Sequence, residues 1–127
     1  MKNFIHTLVT HIEQLEMDYP VRIGIFDDEK SLMIKPISGS EVIHEYMNGD
    51  MDIRLPFEIS IKSKNQEEAY NFLNDVMTHL KNINNFLTRK NDHTLLDLTM
   101  EQIPTFLPSE DDYIYYSVKL TADLTHH

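Results

Sequence analysis

Asp50-Met51-Asp52-Ile53-Arg54-Leu55-Pro56-Phe57-Glu58-Ile59-Ser60-Ile61-Lys62 places an apolar side chain at every second position from Met51 to Ile61, with a polar, charged or proline residue between. Successive side chains leave a pleated backbone on opposite sides, so this pattern predicts a strand with one buried and one wet face. Upstream lies Tyr46-Met47-Asn48-Gly49-Asp50, where Asn-Gly is a strong hairpin signal. Downstream, spacing predicts an amphipathic helix from about Asn65 to Ile83, with Ser63 or Asn65 as cap and Gln66 or Glu68 placed for a capping box. Its buried stripe reads Ala69, Phe72, Leu73, Val76, Leu80 and Ile83. Pro56 cannot donate a ladder hydrogen bond, so it is expected at an edge, at a bulge or at the end of the pairing, or at a kink near Leu55-Pro56 that divides the strand. An edge there would let another subunit reach the strand.

Working outward, Phe4, Ile5, Leu8, Ile12 and Leu15 predict a first helix over Asn3 to Tyr19, closed by Pro20. Val21 to Phe26 alternates, Asp27-Asp28-Glu29-Lys30 turns and Leu32 to Ile37 resumes, which reads as a hairpin. Ser38-Gly39-Ser40 is a loop and Glu41 to Met47 a short strand. Asn82 to Asp92 reads as a polar connection, Leu95 to Ile103 as a weak strand and Pro104 to Asp112 as turn-rich. Tyr113 to Leu124 alternates cleanly, with Ile114, Tyr116, Val118, Leu120, Ala122 and Leu124 on one face and Tyr113, Tyr115, Ser117, Lys119, Thr121 and Asp123 on the other. These elements predict an α+β fold: one mostly antiparallel, mixed sheet, with two main helices packed on one face and the other face free.

A chain of 127 residues is about one ordinary domain, and residues 1–127 are read as a single one. Apolar residues make up 41% and charged residues 25%, as in globular proteins, and no apolar run approaches the roughly 20 residues needed to cross a bilayer, so no membrane partner is expected. Met1 to His6 shows no unbroken apolar signal core, and is read as mature sequence kept in a cytosol. The chain has no cysteine, which excludes disulfides, thiolate metal sites and a cysteine nucleophile. A formal charge of -10 and scattered basic residues argue against a nucleic-acid surface, which needs a local excess of Lys and Arg.

A search for chemistry finds little. His6 and His11 are five apart, on different sides of a helix, where a zinc-binding pair needs three or four. His44 and His79 meet only if the fold brings them together. Asp27-Asp28-Glu29, Asp50 with Asp52, and Glu110-Asp111-Asp112 all sit at predicted turns and lack the ligand spacing of a calcium loop. Ser38-Gly39-Ser40-Glu41 is not a nucleophile elbow, and Gly24, Gly39 and Gly49 are too dispersed for a phosphate-cradling loop. No cofactor, metal or catalytic residue is assigned, and the chain is not read as an enzyme. His126-His127 is native sequence or part of a purification tag.

The aromatics offer a softer signal. Tyr113 and Tyr115 on the wet face suit either an interface or cross-strand pairing. Met47 and Met51 flank the Asn-Gly turn and leave apolar side chains near a hairpin tip. The candidate contact residues are therefore Tyr46, Met47, Asn48, Gly49, Asp50, Tyr113 and Tyr115.

Tyr46-Met47-Asn48-Gly49, then Leu55-Pro56-Phe57-Glu58-Ile59-Ser60-Ile61-Lys62, then a helix containing Ala69, resembles the minor capsid protein family of tailed bacteriophages, which is similar to the tail terminators of long-tailed phages. Ile103-Pro104, Glu110-Asp111 and the strand from Tyr113 to Ala122 resemble that family's closing pattern. The likeness runs from Glu41 to Leu124; residues 1–40 agree only in element order, and Asn84 to Leu95 departs from the pattern. It implies a structural protein of a phage or prophage virion, found in the host cytoplasm during assembly and then in the tail or neck. The implied oligomer is a ring, most often hexameric, at the head-proximal end of the tail tube. There it stops tube growth and meets the tail tube protein and a head-completion protein, joining tail to head. The family motif holds no catalytic residue, so none is carried over. The alternative reading is a small cytosolic ligand-binding or regulatory domain that uses the sheet face as a pocket.

Overall fold

The computed structural model describes residues 2–15, 18–83 and 93–126. Helix α1 spans Lys2–Glu13 and α2 spans Gln66–Ile83. The strands are β1 (Val21–Ile23), β2 (Ser31–Pro36), β3 (Glu41–Glu45), β4 (Met51–Ser63), β5 (His93–Met100), β6 (Thr105–Leu107) and β7 (Ile114–His126). They form one mixed sheet, ordered β1-β2-β4-β7-β5, with β3 on β4 and β6 on β7. The architecture is α+β, as the patterning predicts.

β4 and β7 form the centre of the sheet, antiparallel from Met51↔His126 to Ser63↔Ile114. The shared register keeps Ile53, Leu55, Phe57, Ile59 and Ile61 on the same face as Leu124, Ala122, Leu120, Val118 and Tyr116. Phe4, Ile5, Leu8 and Ile12 of α1 and Ala69, Phe72, Leu73, Val76 and Leu80 of α2 bury that face. Phe57 meets the ring of Phe4 edge-on, with centroids 6.0 Å apart. Met77 widens the α2 stripe; the side chain of Ile83 lies outside the described residues.

Pro56 does not kink β4, nor does β4 lie at an edge. The interruption falls on its neighbour, because β2 and β3 lie end to end along one side of β4, at Pro36↔Phe57 and Glu41↔Arg54. Pro56 faces the gap between them, where its carbonyl accepts from the Ile37 N–H at 3.1 Å and its missing donor leaves no bond unmade. The far side of β7 repeats the scheme, with β5 ending at Met100↔Leu120 and β6 starting at Thr105↔Ser117. β6 was not legible in the sequence, since it is three residues between Pro104 and Pro108.

The expected hairpin of residues 21–37 is not formed. β1 runs parallel to β2, through Val21↔Leu32 and Ile23↔Ile34. Gly24, at φ +83, bends the chain after only three strand residues, and its N–H donates to the Ile34 carbonyl at 2.9 Å. Residues 24–30 then pass over the sheet face opposite the helices. Lys62 Nζ donates to the carbonyls of Asp27 and Asp28 at 2.9 and 3.1 Å, and Phe26 meets Tyr115 edge-on. This end of the second face is therefore not free: Met33, Ser60 and Ser117 are buried on it. Toward the other end it carries cross-strand ion pairs, with Arg54 bonded to Asp123 and Glu41.

α1 stops before the expected Tyr19. The amides of Gln14 and Leu15 bond to His11 and Ile12, three residues back, which tightens and ends the last turn. The chain then sets Tyr19 flat against Phe72, centroids 4.7 Å apart. Its hydroxyl donates to Glu68 at 2.9 Å and accepts from Ser63 at 2.7 Å, while Ser63 Oγ accepts the Asn65 N–H. Asn65 caps α2 by accepting the Glu68 N–H at 2.9 Å. One chain of hydrogen bonds thus ties the segment after α1 to the junction of β4 and α2. The expected polar connection falls mostly on residues 84–92, outside the described residues.

Phe57→Ala is expected to cost about 3–5 kcal/mol in urea unfolding, from lost burial plus a cavity, whereas Met47→Ala at the exposed hairpin stays within about 0.5 kcal/mol. Equal effects would contradict the assigned core. Burial, aided by the Glu68 carboxylate and opposed by the Ser63 hydrogen bond, pushes the Tyr19 hydroxyl from 10.0 up to about 12. Its neutral form is favoured by folding, so that contribution is intact below pH 10 and declines as pH rises toward about 12. Stability measured across this window should fall less steeply in Tyr19→Phe than in the parent chain.

Candidate interaction surfaces

The candidate residues fall at opposite ends of the sheet. Tyr46 to Asp50 link β3 to the start of β4, whereas Tyr113 and Tyr115 lie at the start of β7, beside the end of β4. At about 3.3 Å per residue, the length of β4 separates them by roughly 40 Å. They are two surfaces rather than one.

The hairpin is braced from within. The Gly49 N–H donates to the Tyr46 carbonyl at 3.0 Å and the Tyr46 N–H to Asp50 at 2.8 Å, with Gly49 at φ +95. This is a longer loop than the two-residue turn that Asn-Gly signals, with glycine in the left-handed position after a tight turn. Asn48 Oδ1 accepts the Asp50 N–H at 3.0 Å. Tyr46 donates its hydroxyl to Asp52 at 2.8 Å and packs edge-on against His44. Asp52 also accepts from Thr125 at 2.7 Å, and these hydrogen bonds, Thr125 first, hold its carboxyl below the usual carboxylate range. Met47 stands at the tip of this frame, with a relative exposure of 107%.

The tyrosine end already has internal partners. Tyr113 lies beneath Lys62 and Lys64, whose Nζ atoms are 4.5 and 5.2 Å from its ring. Tyr115 is half-buried against Phe26 and donates to Asp111 at 2.6 Å. Burial, then this carboxylate, pushes its hydroxyl up to about 12. Glu110-Asp111-Asp112 is thus a turn organised around Asp111, which also accepts the Tyr113 N–H and the Ser109 hydroxyl.

The fold does not bring the remaining polar candidates together. His79 bonds to the His11 carbonyl at 2.9 Å, while His44 packs against Tyr46. Among the described residues no group of three or more His, Asp or Glu side chains is arranged to hold a metal ion. The second sheet face, expected as a pocket under the ligand-binding reading, is covered by residues 24–30 at one end and laced by ion pairs at the other. What the structure adds is a pair of edges. β3 is exposed along its whole length, and both β3 and β5 contain a bulge, at Ile43 and Leu96. Each puts two apolar residues in succession, Val42-Ile43 and Leu95-Leu96, and that doubled signal was available in the sequence.

In a comparison with known families, the profile described as bacteriophage tail terminator protein matches residues 8–126. The chain belongs to the bacteriophage tail terminator family. The match takes in the second half of α1 and all of β1 and β2, where the sequence alone shared only an order of elements. No curated protein matches the chain. A tail terminator is a component of the virion tail or neck and works in contact with other tail or head proteins, in a family generally structural rather than enzymatic.

An added Cβ at Gly49 would meet no heavy atom within 4 Å, so any cost of Gly49→Ala arises from the backbone. Thermal or urea unfolding should show a loss of about 1–2 kcal/mol. An unchanged stability would mean that the hairpin is not held in this turn.

Proposed function

We propose that this terminator forms a ring, hexameric in the virion, on the head-proximal end of the tail tube. There it stops polymerisation of the tube protein and offers a platform to a head-completion protein, joining tail to head. In a phage or prophage host it assembles in the cytoplasm before becoming part of the neck. The observation that carries this reading is the family match over residues 8–126. The fold is consistent with it: a closed ring of identical subunits needs two different lateral surfaces on each. This sheet offers one on each side, with β3 flanking β4 and β5 and β6 flanking β7.

The hairpin of Tyr46, Met47, Asn48, Gly49 and Asp50 is assigned to a contact between subunits. Its internal hydrogen bonds hold Met47 outward at little further entropic cost on association. Tyr113 and Tyr115, at the opposite end, are assigned to a partner above or below the ring.

Sedimentation over a wide concentration range, with and without purified tail tube protein, tests this reading. The chain should bind tube ends, and electron microscopy should show tubes of limited length, each capped by a ring. A chain that stays monomeric and never joins a tube would overturn the proposal.

A further inference from the structure

At the hairpin end, the sheet runs β3, β4, β7, β5, with β3 and β5 outermost among the described residues. An outermost strand presents backbone N–H and C=O groups that are satisfied best by another strand. Three features of these edges match. First, each neighbouring pair is antiparallel, so β3 and β5 run in opposite directions. A second copy set beside the first in the same orientation therefore brings its β5 antiparallel to β3. Second, the strands overlap in level, since Val42 pairs with Ile53, Ile53 with Leu124, and Leu124 with Leu95, and a slide of two residues, about 7 Å, brings Leu98 of the next copy opposite Val42. Third, each edge has one bulge, between Val42 and His44 and between Leu95 and Asp97.

We propose that β3 of one terminator subunit pairs with β5 of the next, continuing the sheet from copy to copy, with Glu41 opposite Thr99, Val42 opposite Leu98 and Glu45 opposite Leu95. This rests on the ring reading above and specifies its lateral contact. In this register every named pair shares a face. Glu41 and Thr99 lie on the second face, as their partners Arg54 and Thr121 do; Val42 and Leu98 lie on the helix-covered face with Ile53 and Ala122. The bulged pairs Ile43-His44 and Leu96-Asp97 then meet, and no carboxylate stands directly opposite another. Ile43 and Leu96, exposed by 50% and 56%, become covered. A bulge ordinarily blunts an edge against pairing. Here it acts as a filter, since a partner strand without a bulge at the matching place would put its side chains on the wrong faces beyond it.

The chain has no cysteine, so Glu41→Cys with Thr99→Cys gives a clean reporter. Within one subunit, three strand spacings of about 4.8 Å separate these positions, beyond the roughly 7 Å a disulfide can bridge. After mild oxidation on tail tubes, denaturing electrophoresis should show a ladder from dimer to the closed ring, with either single variant remaining monomeric. Capped tubes without a ladder, or dimers from Glu41→Cys alone, would overturn the pairing while leaving the ring reading intact. Failure of the parent chain to cap tubes would overturn both. Ile43→Asp, which sets a carboxylate against Asp97, should abolish capping with the melting temperature of the free chain unchanged. Normal capping by this variant would also count against the pairing.

Discussion

Antiparallel pairing of β4 with β7 along the full length of both strands is the constraint on which the rest of the structure depends. The ladder runs without a register shift from Met51↔His126 to Ser63↔Ile114, whereas the strands outside it are short, bulged or both. Because its register is unbroken, the apolar residues of both strands stay on one face, where α1 and α2 cover them. A slip of one residue would turn the apolar set of one strand outward while the other stayed buried. The ladder also fixes where the surfaces lie: the hairpin projects from one end, and the tyrosine turn and the loop over the second face from the other.

Long-range order was legible where one residue type repeated over many positions. The alternation of Met51 to Ile61 and of Ile114 to Leu124 and the stripe of α2 were all readable, because each reports burial along a whole element, while the cap was narrowed only to Ser63 or Asn65. Short or relational features were not. Three alternating residues at Val21–Ile23 carry no information on strand direction, and the parallel pairing is fixed by Gly24 and by Lys62 holding the carbonyls of Asp27 and Asp28. Pro56 announced an interruption but not which strand would bear it. The surrounding packing keeps β4 intact, and the gap falls between β2 and β3.

The candidate surfaces were half legible. Asn-Gly marked the hairpin, and Met47 is as exposed as its place at the tip suggested. The tyrosines were placed on the correct strand, but their ties to Asp111, Phe26 and the two lysines depend on tertiary contacts that alternation cannot encode. The edges of β3 and β5 escaped notice because a bulge reads as a blemish in an alternating pattern. The unbroken central ladder gives this terminator its rigidity, and the contact role proposed for the outer strands fits its family.

Hydrogen exchange of the terminator, free and on tail tubes, tests this division of labour directly. In the free chain, amides of β4 and β7 facing each other should exchange slowest, and those of residues 41–50 rapidly. Capping of tubes should slow exchange in residues 41–50 and 95–99 while leaving the central ladder unchanged. Rapid exchange throughout β4 in the free chain, or protection on tubes that spares both outer strands, would contradict the account.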